Sequence, residues 1–242
     1  MTARFFIDHL DIHQDEVHLP REEAHHLSRV LRLQVNDSVV LFDREGKQYS
    51  ARIKQVSSSS ATLMIEAEIA NQRTPARDVT VAISPLRPEA MSDLVAKLTE
   101  LGVAQLATFT SARTALPKAG DKLADEQRRN RWQRVSLAAC KQSGRPTPIA
   151  IQPVCTFQEL LSNKADARSF IAWEAGTARP LIEGLDNTTN ASVLLIIGPE
   201  GGFTEEEIDL ALQSGCETVD LGPYILRAET AAVVAAAIAL NA

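Results

Sequence analysis

Apolar residues follow two different periods along the chain, and the change of period divides the chain into two regions. Between Leu19 and Leu33 they recur at helical spacing and predict a short amphipathic helix. Runs rich in β-forming residues come next, separated by short polar segments. These runs span Ser38–Asp43, Gln48–Val56 and Ala61–Ile69. This order predicts a small N-terminal β-barrel.

Strand and helix patterns alternate in the second region. Strands are expected at Val79–Leu86, Gln105–Ser111, Ser169–Glu174, Ser192–Gly198 and Glu217–Gly222, and helices at Ala90–Val103, Asp121–Gln142, Thr204–Ser214 and Ala228–Leu240. Such alternation predicts an α/β fold with a mostly parallel sheet covered on both faces, in which ligands bind at the carboxyl ends of strands. The polar, proline-containing segment Asn71–Arg77 is the expected boundary. We therefore expect one domain over residues 1–71 and another over residues 76–242.

Composition narrows the class of protein. The 242 residues are 45% hydrophobic and 23% charged, as in a soluble globular protein. We expect a cytoplasmic protein without a membrane partner, because the N-terminus resembles no export signal and no apolar run approaches the roughly 20 residues that span a bilayer. The three cysteines are far apart, and no acidic or cysteine ligand set completes a metal site with the five histidines, so we expect no metal.

The charge distribution is uneven. A net charge of −6 is unfavourable for a protein that coats nucleic acid. Between Arg113 and Arg145, however, nine basic residues, Lys118 among them, face three acidic ones. Charge alone favours an RNA-binding surface and an ordinary solvated helix face about equally.

The segment Leu194–Leu212 (LLIIGPEGGFTEEEIDLAL) predicts a buried strand, a glycine-rich turn and a helix. Thr204 and Glu207 have the spacing of a capping box, which sets the start of the helix. Glycines in such a turn let a ligand approach exposed backbone groups, although a tight turn alone would also need them. The segment lacks the dinucleotide and P-loop fingerprints. Its glycines are Gly198, Gly201 and Gly202.

A second strand, Gly-Pro turn and helix occupy Leu221–Leu240 (LGPYILRAETAAVVAAAIAL). Arg227 and Glu229 stand at the start of its alanine-rich helix. In isolation, Glu229 is explained as a first-turn carboxylate stabilised by the helix dipole, with Arg227 as its surface partner. Two such turns in succession nevertheless indicate one ligand site formed by both turns.

Five motifs in order along the chain point to one family. They are RVLRL, KLTELGV, RWQRVSLAACKQSGR, GPEGGFTEEEID and LGPYILRAETAA. Together they resemble the bacterial 16S ribosomal RNA uridine-N3 methyltransferases of the SPOUT superfamily. The resemblance implies an N-terminal PUA-like β-barrel that binds RNA, a C-terminal SPOUT domain with a deep trefoil knot, S-adenosylmethionine as cofactor, and a homodimer acting on 16S rRNA of the small ribosomal subunit.

The resemblance also assigns the cofactor pocket to residues of both turns. These are Ile197, Gly198, Pro199, Glu200, Gly201, Leu221, Gly222, Ile225, Leu226 and Thr230. The family usually has LGPRILRTETA in the second turn, so Tyr224 and Ala228 depart from its pattern. They replace one basic contact and one hydroxyl beside the site.

Methylation of uridine N3 requires removal of a proton, because this imide nitrogen is protonated at neutral pH. We expect Glu229 to accept or position that proton, Arg227 to stabilise the anion, and Arg113 to reach the RNA, in some arrangements from the partner subunit. Phosphate contacts are expected from Arg29, Arg32, Arg128, Arg129, Arg131 and Arg134. The alternatives are another SPOUT methyltransferase, acting on transfer RNA or a ribose hydroxyl, and a nonenzymatic RNA-binding assembly factor. The intact glycines weigh against the latter.

Overall fold

The computed structural model describes residues 2–10, 15–70, 74–114, 122–164, 166–174, 178–185 and 192–242. They form two compact units. Unit 1 comprises Met1–Thr74 and Leu137–Pro148, and unit 2 comprises Pro75–Ser136 and Ile149–Ala242. Lys141 forms an ion pair with Glu23 inside unit 1, which contributes to holding the segment from Leu137 against the N-terminal residues.

Unit 1 is built on a curled sheet. Its described strands are β1 (Arg4–Phe6), β2 (Glu16–His18), β3 (Ser38–Phe42), β4 (Gln48–Val56) and β5 (Ala61–Glu68), in the order β1-β3-β4-β5-β2. Only β1 and β3 run parallel among these described pairs. Register shifts between β4 and β5 bend the sheet around an apolar core that contains Phe5, Leu41 and Ile53.

The predicted amphipathic helix is short in unit 1. It begins as α1 (Arg21–His25) and continues as one π-helical segment (His26–Val30). Ala24 and Leu27 are buried against the sheet, in agreement with the helical spacing of apolar residues.

Unit 2 is an α/β layer structure. Its strands are β6 (Val79–Ile83), β7 (Gln105–Thr110), β8 (Ala150–Ile151), β9 (Cys155–Thr156), β10 (Arg168–Ala172), β11 (Arg179–Pro180), β12 (Val193–Ile197) and β13 (Glu217–Asp220). Its helices are α2 (Pro88–Leu101), α3 (Lys122–Ser143, whose end belongs to unit 1), α4 (Phe157–Ser162), α5 (Leu181–Gly184), α6 (Glu205–Gln213) and α7 (Ala228–Asn241).

Among the described strands of unit 2, every pairing is parallel, in the order β11-β13-β10-β12-β6-β7-β8, with β9 beside β7. All five residues of β12 are buried, as a central strand of a covered sheet requires. The carboxyl ends of β6, β10, β12 and β13 therefore meet at one edge of the sheet.

The two faces of this sheet have different cores. On one face, the alanines of α7, including Ala232, Ala235 and Ala236, let its backbone lie close to the strands. On the other face, the rings of Phe109, Phe157 and Phe203 pack together beside α6. The predicted α/β class with a parallel sheet and a small β-rich unit is confirmed. The trefoil knot stays a prediction.

The short elements differ from expectation. Strands β1, β2, β8, β9 and β11 and helices α4 and α5 were not predicted, because segments of two to six residues carry too little periodicity. The longer elements agree within a few residues, and Gly102 ends α2 in the left-handed conformation with φ 99°. None of the helices in the described part of the chain is long and apolar enough to cross a membrane.

Candidate active site

A cavity of about 590 Å³ opens at the edge of the sheet where the carboxyl ends of β6, β10, β12 and β13 meet. The turn after β12, residues 198–203, forms one side, and the loop between β13 and α7, residues 221–227, forms another. The first turn of α7 also lines it. Its position agrees with the general location of ligand sites in open parallel sheets.

The glycines of the first turn are required by close packing, and they also leave the backbone of the turn open to the cavity. A side-chain carbon on Gly198 would lie 2.9 Å from the ring of Phe203, so this position excludes larger residues. Gly202 has φ 70°, and a side-chain carbon there would lie 3.1 Å from Oε1 of Glu174. Both glycines border the cavity and leave backbone exposed to it.

Glu207 joins this turn to the loop that follows β7. Its Oε2 accepts a hydrogen bond from the Thr204 N–H at 3.0 Å, and the Glu207 N–H donates to Thr204 Oγ1 at 3.3 Å. The predicted capping box is thus confirmed. The other carboxylate oxygen, Oε1, accepts from the Ala112 N–H at 2.7 Å. One side chain therefore fixes the start of α6 and a loop from another strand.

Arg113 strengthens the same connection. Its Nη1 donates to the carbonyl of Gly201 at 3.0 Å and to that of Phe203 at 3.3 Å. Neither Arg113 nor Gly201 lines the cavity. A side-chain carbon on Gly201 would lie 3.2 Å from Cβ of Arg113, so this glycine makes room for the arginine. In this structure, Arg113 stabilises the turn through hydrogen bonds made outside the cavity.

The second turn presents its central residues to solvent. Gly222 has φ 130°, and its N–H donates to Oδ1 of Asp220 at 3.1 Å. Leu221 and Leu226 pack against the core at the two ends of the loop. Tyr224 and Ile225 between them are each 83% exposed and line the cavity.

Arg227 and Glu229 stand where this loop enters α7. Both line the cavity, and neither side chain makes a hydrogen bond or ion pair with a described residue. The hydrogen bond from Lys97 to Asp93 is the main cause of the raised pKa of Lys97, and the charge of Glu229 adds to it. Glu229 is thus also in electrostatic reach of α2.

The cavity is acidic. Among the described lining residues, carboxylates outnumber guanidinium groups four to two, and no lysine or histidine is present. The carboxylates are Glu174, Glu200, Asp220 and Glu229, and the guanidinium groups are Arg87 and Arg227. Such a lining favours a cationic ligand and disfavours phosphate.

The structure brings most of the expected pocket residues together. Those that line the cavity are Ile197, Gly198, Pro199, Glu200, Leu221, Gly222, Ile225, Leu226, Arg227 and Glu229. Thr230, Gly201 and Arg113 do not line it. Thr230 is exposed one residue beyond Glu229, on a different side of the helix.

Sequence reasoning missed a further group of lining residues. Ala172 ends β10 and is followed by Trp173 and Glu174, and Arg87 lies after β6 at the start of α2. The end of a predicted parallel strand was the available signal, because such ends meet at one edge. Nothing in the local sequence tells which of several strands are neighbours.

The arginines expected to bind RNA are differently placed. Arg29 and Arg32 of unit 1 are exposed, and Arg32 has φ 55°. On α3, Arg131 and Arg134 are exposed, whereas Arg128 and Arg129 are partly buried. Arg129 forms an ion pair with Asp125 at 3.2 Å. Lys118, part of the cationic stretch, lies outside the described residues.

Comparisons with known proteins agree with this geometry. Residues 72–240 match the family model of the RNA methyltransferase domain, and residues 19–66 match that of the RNA methyltransferase PUA domain. Ribosomal RNA small subunit methyltransferase E of Bacillus subtilis is 30% identical over 221 residues, which cover 88% of this chain and 85% of the relative.

Two solved structures match nearly the whole chain. Ribosomal RNA small subunit methyltransferase E of Neisseria gonorrhoeae, bound to S-adenosyl methionine, has a TM-score of 0.88 at 28% identity and covers 98% of this chain and 96% of its own. A Legionella pneumophila structure with the cofactor SAM bound has a TM-score of 0.90 at 26% identity, covering 99% and 97%.

The domain models and the parallel sheet with its terminal cavity define the class as that of the RNA methyltransferases. Within this class, the chain belongs to the ribosomal RNA small subunit methyltransferase E family. The resemblance seen in the sequence motifs is thereby confirmed.

Proposed function

We propose that this protein methylates N3 of a uridine in 16S rRNA, in the decoding region of the small ribosomal subunit, with S-adenosylmethionine as methyl donor. The observation that carries the proposal is the cavity between the two glycine turns, with Arg227 and Glu229 at its edge. Membership in the ribosomal RNA small subunit methyltransferase E family supports the reaction class and the RNA.

The residues of the cavity fit S-adenosylmethionine. The volume of about 590 Å³ falls within the roughly 300–1,000 Å³ of small-molecule sites. Gly198, Gly202 and Gly222 leave backbone groups open to a ligand, and the excess of carboxylates complements the positive charge of the sulfonium and ammonium groups. We infer that both turns hold the cofactor, which supplies an electrophilic methyl group when bound.

Glu229 and Arg227 have the chemistry that the uridine requires. A carboxylate without a hydrogen-bonding partner can accept the N3 proton, and a guanidinium group can stabilise the negative charge that then spreads over the flanking oxygens. Both groups lie at the cavity edge on the α7 side. Their task is to generate and orient the uridine anion, because methyl transfer is otherwise a matter of alignment.

RNA binding outside the cavity is assigned to exposed arginines. Arg131 and Arg134 on α3 and Arg29 and Arg32 on unit 1 are exposed and can reach phosphates. Nε of Arg134 donates to the carbonyl of Asn130 on the same helix. Arg128 and Arg129 are less suited, since both are partly buried and Arg129 is paired with Asp125. A homodimer remains part of the proposal.

Two measurements test the proposal. Calorimetric titration of the purified protein with S-adenosylmethionine is expected to show binding, and absence of binding would favour a nonenzymatic RNA-binding factor. Mapping of methylated nucleotides in RNA from a deletion strain identifies the substrate. An N3-methyl group on uridine blocks Watson–Crick pairing and therefore stops reverse transcription. We expect one such stop in 16S rRNA to be present in the parent strain and absent from the deletion strain. Loss of a transfer-RNA or ribose methylation instead would overturn the proposal.

A further inference from the structure

Tyr224 is an aromatic side chain displayed at the mouth of the cavity. Three aromatic residues line the cavity among those described: Phe203 is buried, Trp173 is half-buried, and Tyr224 is 83% exposed. Tyr224 makes no hydrogen bond or ring contact with any described residue. Its ring therefore contributes little to folding and is available to a ligand.

The loop that carries Tyr224 is anchored on both sides. Leu221 and Leu226 pack against the core of unit 2, and the Asp220 carboxylate accepts the N–H of Gly222. Anchoring reduces the conformational entropy that is lost when a ligand binds, so a side chain held in this way binds more effectively than one on a free loop.

The charge of the cavity determines which part of a nucleotide can approach Tyr224. Four carboxylates against two guanidinium groups disfavour phosphate there. This charge favours entry of the nucleotide base first, with its phosphates outside. A base that leaves its stack loses a few kcal/mol of stacking energy, which an aromatic ring at the entrance can restore.

We propose that Tyr224 stacks on the target uracil and holds it at the cavity mouth. This assignment rests on the proposed function, because it takes a uridine as the substrate. Tyr224 is then a positioning residue: its ring face orients the base, while the proton and the methyl group are handled by other groups. The phenolic hydroxyl of Tyr224 is not needed for this stacking.

The test uses two RNA probes that differ by saturation of the C5–C6 bond of the base, and therefore in base planarity. Oligouridylate and oligo(5,6-dihydrouridylate) carry the same imide and carbonyl groups, but the dihydro base is puckered and stacks poorly. Affinities of both probes are measured by fluorescence anisotropy for the wild-type protein and for Tyr224→Phe, Tyr224→Leu and Ile182→Ala. Ile182 is the control, since it is an exposed aliphatic side chain, 61% exposed, that does not line the cavity.

For each protein, the affinity for oligouridylate is divided by that for the dihydro probe. We expect this ratio to be about 5- to 150-fold larger for the wild type, Tyr224→Phe and Ile182→Ala than for Tyr224→Leu, which is the range of one base–aromatic stack. In methylation assays, Tyr224→Leu should raise the RNA concentration at half-maximal rate more than it lowers kcat. Calorimetry with S-adenosylmethionine should give equal affinities for Tyr224→Leu and the wild type.

An equal probe ratio in Tyr224→Leu and the wild type would overturn the assignment. So would a change in sedimentation of Tyr224→Leu with an unchanged probe ratio, which would place Tyr224 in contact with a second copy of the chain. The proposed function and the stacking role can fail separately. If the protein discriminates between the probes through Tyr224 but methylates no uridine, the proposed function is wrong and the stacking site stands. If it methylates uridine but does not discriminate through Tyr224, the stacking site is wrong and the proposed function stands.

Discussion

Replacement of Glu207 by alanine tests whether the glycine-rich turn is positioned by its neighbours. The substitution removes two hydrogen bonds to a carboxylate, from the Thr204 N–H at 3.0 Å and the Ala112 N–H at 2.7 Å. The bond from the Glu207 N–H to Thr204 Oγ1 does not involve the Glu207 side chain, so α6 keeps half of its cap. The bond from Ala112 that ties α6 to the loop carrying Arg113 is lost, whereas the bonds from Arg113 to Gly201 and Phe203 remain.

The magnitude follows from these two bonds. Hydrogen bonds to charged groups contribute about 1.5–3 kcal/mol each when buried, and less here because the carboxylate is partly exposed. We expect Glu207→Ala to lower the free energy of unfolding by about 2 kcal/mol, or the melting temperature by about 4–8 °C for a chain of this size. Ordering one released backbone residue costs about 1–2 kcal/mol, so affinity for S-adenosylmethionine should fall about tenfold.

The chain offers a matched control in α4. Glu159 forms the same capping box with Thr156, but among the described residues its carboxylate accepts hydrogen bonds from Thr156 alone and so ties no second loop. Glu159→Ala should therefore lower the melting temperature by less and leave cofactor affinity unchanged. Calorimetry and thermal melts on both variants measure the two effects. Equal cofactor affinity in Glu207→Ala and Glu159→Ala would refute the idea that Glu207 positions the turn.

Further predictions concern the chemical step, the RNA surface and acid stability. Glu229→Gln should slow single-turnover methylation by about 10²–10⁴-fold with normal cofactor binding; a normal rate with a lowered melting temperature would leave Glu229 as a first-turn helix residue. Replacing Arg131 and Arg134 by glutamine should reduce the salt dependence of RNA binding by about 0.7–0.9 log unit per lost phosphate contact, and an unaltered slope would indicate a solvated face. The backbone N–H of Thr156, followed by its hydroxyl, lowers the pKa of Glu159. The stabilisation from the ionised carboxylate is complete above the ordinary pKa of about 4.3 and is lost as pH falls through the lower pKa of the folded state. Glu159→Gln should therefore make the free energy of unfolding depend less steeply on pH below about pH 4.5. The same pH dependence in Glu159→Gln and the wild type would show that the ionised Glu159 does not stabilise the fold.

The parts of the site that the sequence predicts are those defined by local geometry. The capping box at Thr204 and Glu207 depends on residues three positions apart, and the turn before it depends on its own glycines. Both can be recognised without knowing the fold. The strand before the turn is fully apolar, which correctly indicates a central position in the sheet.

The parts that were missed depend on which strands are neighbours. Glu174 reaches the first turn because β10 lies beside β12. Arg113 reaches Gly201 although 88 residues separate them. Its hydrogen bonds to the turn differ from the contact with RNA that the sequence suggested, and they explain why an arginine is useful there. Strand order is set by packing of the whole sheet, so no local pattern could supply these contacts.

The central claim is tested most directly with purified components. The protein is incubated with S-adenosylmethionine carrying an isotopically labelled methyl group and with 16S rRNA lacking this modification, and the digested nucleosides are separated by liquid chromatography and mass spectrometry. We predict that the label co-migrates with 3-methyluridine in the wild type and falls strongly in Glu229→Gln. Label in 2′-O-methyluridine, or no label in any nucleoside with a protein that binds the cofactor, would contradict the account.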